Sequence, residues 1–280
     1  MKYAYFNGKI IPEEEVKINF NDLGFARGYG VFDAMRTTNG QPFLLKAHFK
    51  RLQNSARLLN MELPMTMPQF VETVQKLLST SEDFQQGKDV VIRTTVTGGI
   101  SSNGLKMDGQ PTVIIIIGNL SAVTPKPEEY RQGGKIILVD FQRILPQAKT
   151  TNYLTAILHQ KEKERAGATE IVYHHRKQLL EGATSNIFIV KNKRVITPEK
   201  NILSGTMRNL LIQLLRQNNI PVEIRDVQLE ELSEADEAFI TGTFKQVLPI
   251  VQFDDKIINE GQVGEIAKQA MKLMKKALSI

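Results

Sequence analysis

No cysteine occurs among the 280 residues, so the chain can form neither disulfides nor a thiolate-bound metal site, and a reducing compartment costs it nothing. Histidine is scarce, with four in all. His174 and His175 fall on an expected strand, where neighbouring side chains point to opposite faces, and no metal site is expected. Long apolar runs are missing: Val113 to Ile117, the longest aliphatic stretch, is far short of the roughly 20 residues of a membrane span. The N-terminus carries Lys2, Lys9 and Glu13-Glu14-Glu15 in place of an apolar signal core, so a cytoplasmic protein with no membrane partner is expected. Neither a Gly-x-x-x-x-Gly-Lys-Ser/Thr phosphate loop nor Gly-x-Gly-x-x-Gly after a strand is present, and Gly28-Tyr-Gly30 is too short a substitute. No Gly-x-Ser-x-Gly elbow marks a hydrolase.

What is present is an excess of basic residues, 36 Lys and Arg against 30 Asp and Glu, for a net charge of +6. They are dispersed. The densest group, Lys268, Lys272, Lys275 and Lys276, lies opposite Ile266, Ala270, Met271, Met274 and Leu278 at helical spacing and reads as a solvated helix face. No aromatic residues interleave it, so nucleic acid is not an expected partner, and a basic nucleic-acid-binding module remains only as a remote alternative.

The periodicities predict two domains. In residues 1–118, Lys2–Phe6 and Lys9–Ile11 form a hairpin through Asn7-Gly8. A loop follows at 21–24, helices at 46–60 and after Pro68, and β-branched strands at Val90–Thr97 and Thr112–Ile117 flank a Gly-rich loop, Gly98–Gly109. A linker is expected at 119–127, where Gly, Asn, Ser and Pro interrupt the pattern. In residues 128–280, strands at 135–140, 169–173, 186–190, 195–197 and 237–241 alternate with helices at 151–165, closed by Gly167, and from Gly205.

Two residues in the second half suggest chemistry. Lys149, flanked by Thr150 and Thr151, precedes an amphipathic run, and Glu181 lies on the turn Glu181-Gly-Ala-Thr-Ser-Asn186. An amine that can form an imine and a carboxylate that can face a ring nitrogen are what pyridoxal 5′-phosphate (PLP) requires. Lys149-Thr-x-Asn-Tyr-Leu154, Glu181-x-x-x-Ser-Asn186-Ile-Phe188, Leu203-Ser-Gly-Thr-Met-Arg208 and His48-x-x-Arg51-Leu52, in this combination, resemble the class IV (fold type IV) PLP-dependent aminotransferases. That group includes branched-chain and D-amino-acid aminotransferases and 4-amino-4-deoxychorismate lyase. Thr206 stands where the family usually has Ile.

The resemblance implies a small α+β N-terminal domain and a larger α/β PLP-binding domain, a homodimer, and PLP between the lobes. It implies Lys149 as the imine-forming amine and proton carrier, Glu181 at the pyridine nitrogen, Tyr153 at the phenolic oxygen, and Ser185 and Asn186 beside them. Leu203 would pack against a ring face. Arg51, Gly205, Thr206, Thr241, Gly242 and Thr243 would receive the phosphate. The reaction implied is transfer of an amino group from an amino acid to a 2-oxo acid such as 2-oxoglutarate, with the lyase as the alternative.

Neither substrate signature of the group is intact. Phe32-Asp33-Ala34-Met35-Arg36 departs from the branched-chain Phe-Glu-Gly-x-Arg, and Gly98-Gly99-Ile100-Ser101-Ser102 lacks the Arg and His of the D-amino-acid pattern. Arg27, Arg93 and Arg176 are the expected substrate carboxylate ligands, with D-amino acids placed ahead of branched-chain L-amino acids and Gly98–Gly109 as a mobile cover.

Overall fold

Asn7 and Gly8, both at positive φ (46° and 97°), fold β1 (Tyr3–Phe6) back on β2 (Lys9–Pro12) in the computed structural model, which describes residues 2–279. The hairpin is one edge of a six-stranded antiparallel sheet in the order β2-β1-β6-β5-β3-β4, with β3 Gly30–Thr38, β4 Gln41–Pro42, β5 Val90–Thr97 and β6 Thr112–Asn119. Helices α1 (Leu23–Arg27), α2 (Leu45–Leu58), α3 (Met67–Thr80) and α4 (Glu82–Gln85) belong to the same unit. Thr66 and Gln69 close a capping box at the start of α3, which satisfies two backbone donors that the helix itself cannot. One face of the sheet, with Val31, Met35, Ile92, Val96, Val113 and Ile115, packs with Phe49, Leu52, Phe70 and Leu77 of α2 and α3 into a single core. Strand alternation puts Phe32, Ala34, Arg93, Thr95, Ile114 and Ile116 on the opposite face.

The second unit contains β7 (Gly134–Asp140), β8 (Glu170–His175), β9 (Gln178–Gly182), β10 (Asn186–Lys191), β11 (Arg194–Thr197), β12 (Val222–Ile224), β13 (Val227–Gln228), β14 (Glu237–Gly242), β15 (Gln246–Phe253) and β16 (Lys256–Ile257). Its helices are α5 (Pro127–Gln132), α6 (Leu154–Leu158), α7 (Gln160–Arg165), α8 (Thr206–Gln217), α9 (Leu229–Ser233) and α10 (Glu265–Leu278). β7 pairs in parallel with β8 and β15, while β14 is antiparallel to both β10 and β15. The pair Asn186↔Glu181 joins β10 to β9, so β10, β14, β15, β7, β8 and β9 form a closed ring of pairings.

The units do not follow the expected boundaries. One comprises Met1–Val123 with Ala148–Asn152, the other Thr124–Gln147 with Tyr153–Ile280. Residues 148–152, expected in the second domain, are held by β3: the Phe32 N–H donates to the Lys149 carbonyl, the Thr151 N–H donates to the Gly30 carbonyl, both at 2.9 Å, and Val31 bridges Thr150. These ladder bonds keep Thr151 and Asn152 out of the expected 151–165 helix, which becomes α6 and α7 on either side of His159. Residues 23–27, expected as loop, form α1 because the Asp22 carboxylate accepts the Gly24 N–H at 2.7 Å and caps the turn.

Candidate active site

Each unit contributes a cluster, and each is built locally. In the first, Lys149 lies beside β3, and its backbone N–H donates to Ser55 Oγ of α2 at 3.0 Å. Its Nζ stands 4.5 Å from the centre of the Phe32 ring, on the open face of the sheet. Arg51, one helical turn before Ser55, donates through Nε and Nη2 to the two oxygens of Asp33 at 2.7 and 2.9 Å. His48 Nδ1 lies 2.6 Å from the same carboxylate. Burial pushes the Asp33 pKa up, but the Arg51 charge and then His48 outweigh it and hold the carboxyl well below the usual range. The Nε–Nη2 edge of Arg51 is thus engaged by Asp33, which leaves Nη1 to reach a further anion.

In the second unit Glu181, 4% exposed, is held by Arg143, whose Nε and Nη2 lie 2.8 and 2.7 Å from Oε1. Its Oε2 accepts the Leu203 N–H at 2.9 Å. Asn186, the strand partner of Glu181, donates through Nδ2 to the Leu203 carbonyl at 2.8 Å, so the 181 and 186 positions together fix the Leu203 loop. Asn186 also pairs with Thr241 across β14, which puts both side chains on one face. A Cβ at Gly205 would come within 2.1 Å of Asn186 Oδ1, so the start of α8 sits against that residue as only glycine allows. A Cβ at Gly242 would lie 3.1 Å from the Thr184 carbonyl, and Thr243 lies in the turn after β14.

Ser185 Oγ donates at 3.0 Å to a residue not read from the sequence, Glu170. Thr184 Oγ1 donates to the same buried carboxylate at 2.6 Å, and Lys245 Nζ lies 3.1 Å from it. Burial raises the Glu170 pKa, but Lys245 and the Thr184 hydroxyl overcome that and lower it. Tyr173 is pushed up to about 12, by burial first and then by Glu170 and Tyr153, with Arg143 opposing and Glu181 adding to it, which puts these five groups in one neighbourhood.

Two of the three expected substrate arginines lie elsewhere. Arg176 occupies the tight β8–β9 turn at φ 49°, at the opposite end of β9 from Glu181 and roughly 15 Å along the strand. Arg27 is exposed, donates to its neighbour's carbonyl at 2.8 Å, and rests against Gly104. Arg93 alone shares the open sheet face with Phe32, opposite Ala34.

The residues suit PLP. Thr241 Oγ1, on a side chain 1% exposed, has no hydrogen-bond partner. The start of α8 has no side-chain cap at Gly205, so a phosphate oxygen can serve both. Lys149 supplies the amine, and Glu181 an arginine-anchored carboxylate.

The family model for amino-transferase class IV matches residues 30–253. The chain belongs to the class IV aminotransferases. It is 34% identical over 275 residues to a putative branched-chain-amino-acid aminotransferase of Methanocaldococcus jannaschii, covering 95% of this chain and 92% of that one. It is 28% identical to the D-alanine aminotransferase of Staphylococcus epidermidis over 272 residues, 96% of this chain and 95% of that one. The structure is similar to the branched-chain aminotransferase of the thermophilic archaeon Thermoproteus uzoniensis with norvaline, with a TM-score of 0.88 at 26% identity, covering 99% of this chain and 95% of that one. A bacterial-type T.th. branched-chain amino acid aminotransferase with pyridoxamine 5′-phosphate gives 0.89 at 26% identity, over 99% of this chain and 94% of that one. The chain is therefore a fold type IV transaminase that uses PLP, acting on an amino acid and a 2-oxo acid. Among the described residues no helix is long and apolar enough to cross a membrane.

Proposed function

We propose that Lys149 binds the PLP aldehyde carbon, that Glu181 faces the ring nitrogen, and that Gly205, Thr206 and Thr241, with Arg51 through Nη1, receive the phosphate. Bound PLP supplies a carbonyl carbon for amines and a ring that takes up the electron pair released at the substrate Cα. Lys149 Nζ, displaced by the substrate amine, takes the proton from Cα and returns it to the cofactor carbon that held the nitrogen. Glu181, fixed by Arg143 and the Leu203 N–H, keeps the ring nitrogen protonated, and Leu203 and Tyr153 border the ring. Ser185 acts at one remove, by tying the turn before Asn186 to Glu170.

We propose an apolar L-amino acid as the amino donor and 2-oxoglutarate as the acceptor. One observation carries this: the open face of the first sheet that holds Lys149 is lined by Phe32, Ala34, Ile114 and Ile116, with Arg93 as its carboxylate ligand. The case for D-amino acids rests on three arginines, two of which are turned elsewhere. The decisive experiment is a half-reaction that follows conversion of the PLP form to pyridoxamine phosphate with L-leucine, L-glutamate, D-alanine and D-glutamate separately. L-Leucine and L-glutamate should convert it. Conversion by the D-amino acids alone would reverse the assignment.

Our reading also includes a homodimer in the cytoplasm. On α6, Leu154, Ile157 and Leu158 are 63–70% exposed at i, i+3 and i+4, and Phe20 and Phe25 are 73% and 74% exposed in the first unit. Apolar faces of this kind fit a second copy of the chain. Size-exclusion chromatography with light scattering tests it, a monomer being the contrary result.

A further inference from the structure

Arg208, in the first turn of α8, has no part in the roles above. Its side chain is 6% exposed and donates only to neutral oxygens: the Pro198 carbonyl at 2.8 Å, Thr197 Oγ1 at 3.3 Å and Asn209 Oδ1 at 3.3 Å. No ion pair forms to it among the described residues, and the charge that acts on it belongs to the exposed Glu199. The other arginines of the site differ. Arg51 is matched by Asp33 and Arg143 by Glu181. A buried guanidinium without a counter-charge is unfavourable, so its retention calls for an anion.

The structure points to where that anion sits. Thr206, Met207 and Arg208, the first three residues of α8, are all buried, and no side chain caps the helix. Helical side chains lean toward the N-terminus, so the Arg208 charge adds to the positive end of the helix dipole. Thr241 Oγ1, buried and without a partner, lies on the same face as Asn186, whose Oδ1 touches Gly205. A helix end, an orphan hydroxyl and an unmatched buried cation converge on one place.

We propose that Arg208 is the buried counter-charge of the cofactor phosphate, acting on it through the field of the α8 N-terminus and not by direct contact. This rests on the phosphate placement given above. Arg51 then serves mainly to fix Asp33 and the Lys149 segment, and the dianion draws its net compensation from Arg208.

The experiment compares PLP with pyridoxal, which lacks the phosphate, by titrating each into the apo forms of the parent, Arg208→Gln, Arg208→Lys and Thr241→Val. Arg208→Gln should weaken PLP binding by about ten- to thirtyfold, as expected for losing one charge several ångströms from a dianion in a partly shielded site. Pyridoxal binding should change by less than about twofold, because no charge faces the α8 end in that complex. Inorganic phosphate, which should raise the melting temperature of the apo parent, should raise that of Arg208→Gln much less. Arg208→Lys keeps the charge and should keep the preference for PLP over pyridoxal. Equal weakening of both ligands by Arg208→Gln, or a loss in Arg208→Lys as large as in Arg208→Gln, would overturn the proposal and leave Arg208 a hydrogen-bonding strut. If Arg208→Gln does not fold, Arg208→Lys decides alone: loss of the preference for PLP sinks the idea and retention supports it. Thr241→Val separates the two levels. If it lowers the preference while Arg208→Gln does not, only the role of Arg208 falls; if neither does, the phosphate placement falls too.

Discussion

Arg143 grips Glu181 by one oxygen, with Nε at 2.8 Å and Nη2 at 2.7 Å from Oε1, and the Leu203 N–H takes the other oxygen at 2.9 Å. The carboxylate is thereby fixed in rotation as well as position. Arg143→Met should strand it in a site where it is 4% exposed. The expected cost is about 3–5 kcal/mol of stability, the usual consequence of removing one partner of a buried pair. Urea unfolding of the apo protein reads this directly; a change within about 0.5 kcal/mol, typical of surface sites, would show that the pair is not held.

Glu181→Gln keeps an acceptor for the Leu203 N–H but cannot hold the ring nitrogen protonated. PLP should remain bound while turnover falls by on the order of a hundredfold or more. Steady-state rates at saturating substrate test this, and turnover near that of the parent would put the ring nitrogen elsewhere.

Lys149→Ala removes the amine and little else, because the segment is held by backbone bonds to Gly30, Phe32 and Ser55. The protein should fold, lose transamination, and lose the visible absorbance of lysine-bound PLP. A borohydride-reducible adduct surviving in the variant would falsify the assignment.

The Asp33–Arg51–His48 cluster predicts a pH dependence with a definite sign. The folded-state pKa of Asp33 lies below its ordinary value of 3.8, so its contribution to stability is complete above that value and is lost as pH falls through the folded pKa. Asp33→Asn should therefore flatten the acid side of the stability curve while lowering its neutral plateau. Arg51→Ala should cost about 3–5 kcal/mol because it uncovers the Asp33 carboxylate. Its effect on PLP affinity should be measured on protein shown to be folded.

Gly205→Ala tests the seat of α8. The added Cβ would lie 2.1 Å from Asn186 Oδ1, so the Asn186–Leu203 bond or the helix start has to shift. A loss of about 1–3 kcal/mol is expected, together with weaker PLP binding. Calorimetry with and without PLP separates the two effects.

What can be read in the sequence is what is local. The β1–β2 hairpin follows from one dipeptide, and Lys149, Glu181 and the Gly205-Thr206 helix start each sit in a short motif. Partners across the fold are not legible: Arg143 is 38 residues from Glu181, and Asp33 is 18 from Arg51. Arg143 lies in a loop that has no periodicity to give it away. Strand β3 escapes a periodicity reading because both its faces are largely buried, which blurs alternation. Arg176 misleads for the opposite reason, since five residues of extended strand carry it away from the glutamate it precedes.

The excursion of residues 148–152 means that covalent order and structural order part company at the one residue the chemistry cannot do without. A fragment ending at Val123 would contain β3 and Ser55 but no Lys149. The complementary fragment would carry the lysine away from the ladder that aims it. Two separately synthesised halves could regain an aimed amine only if the second fragment threaded its own interior back against β3, a loop inserted from the middle instead of an end docking. During synthesis, likewise, the first sheet waits for the chain to reach residue 152 before β3 gains this neighbour. The catalytic amine is thus among the last parts of its own unit to be set in place.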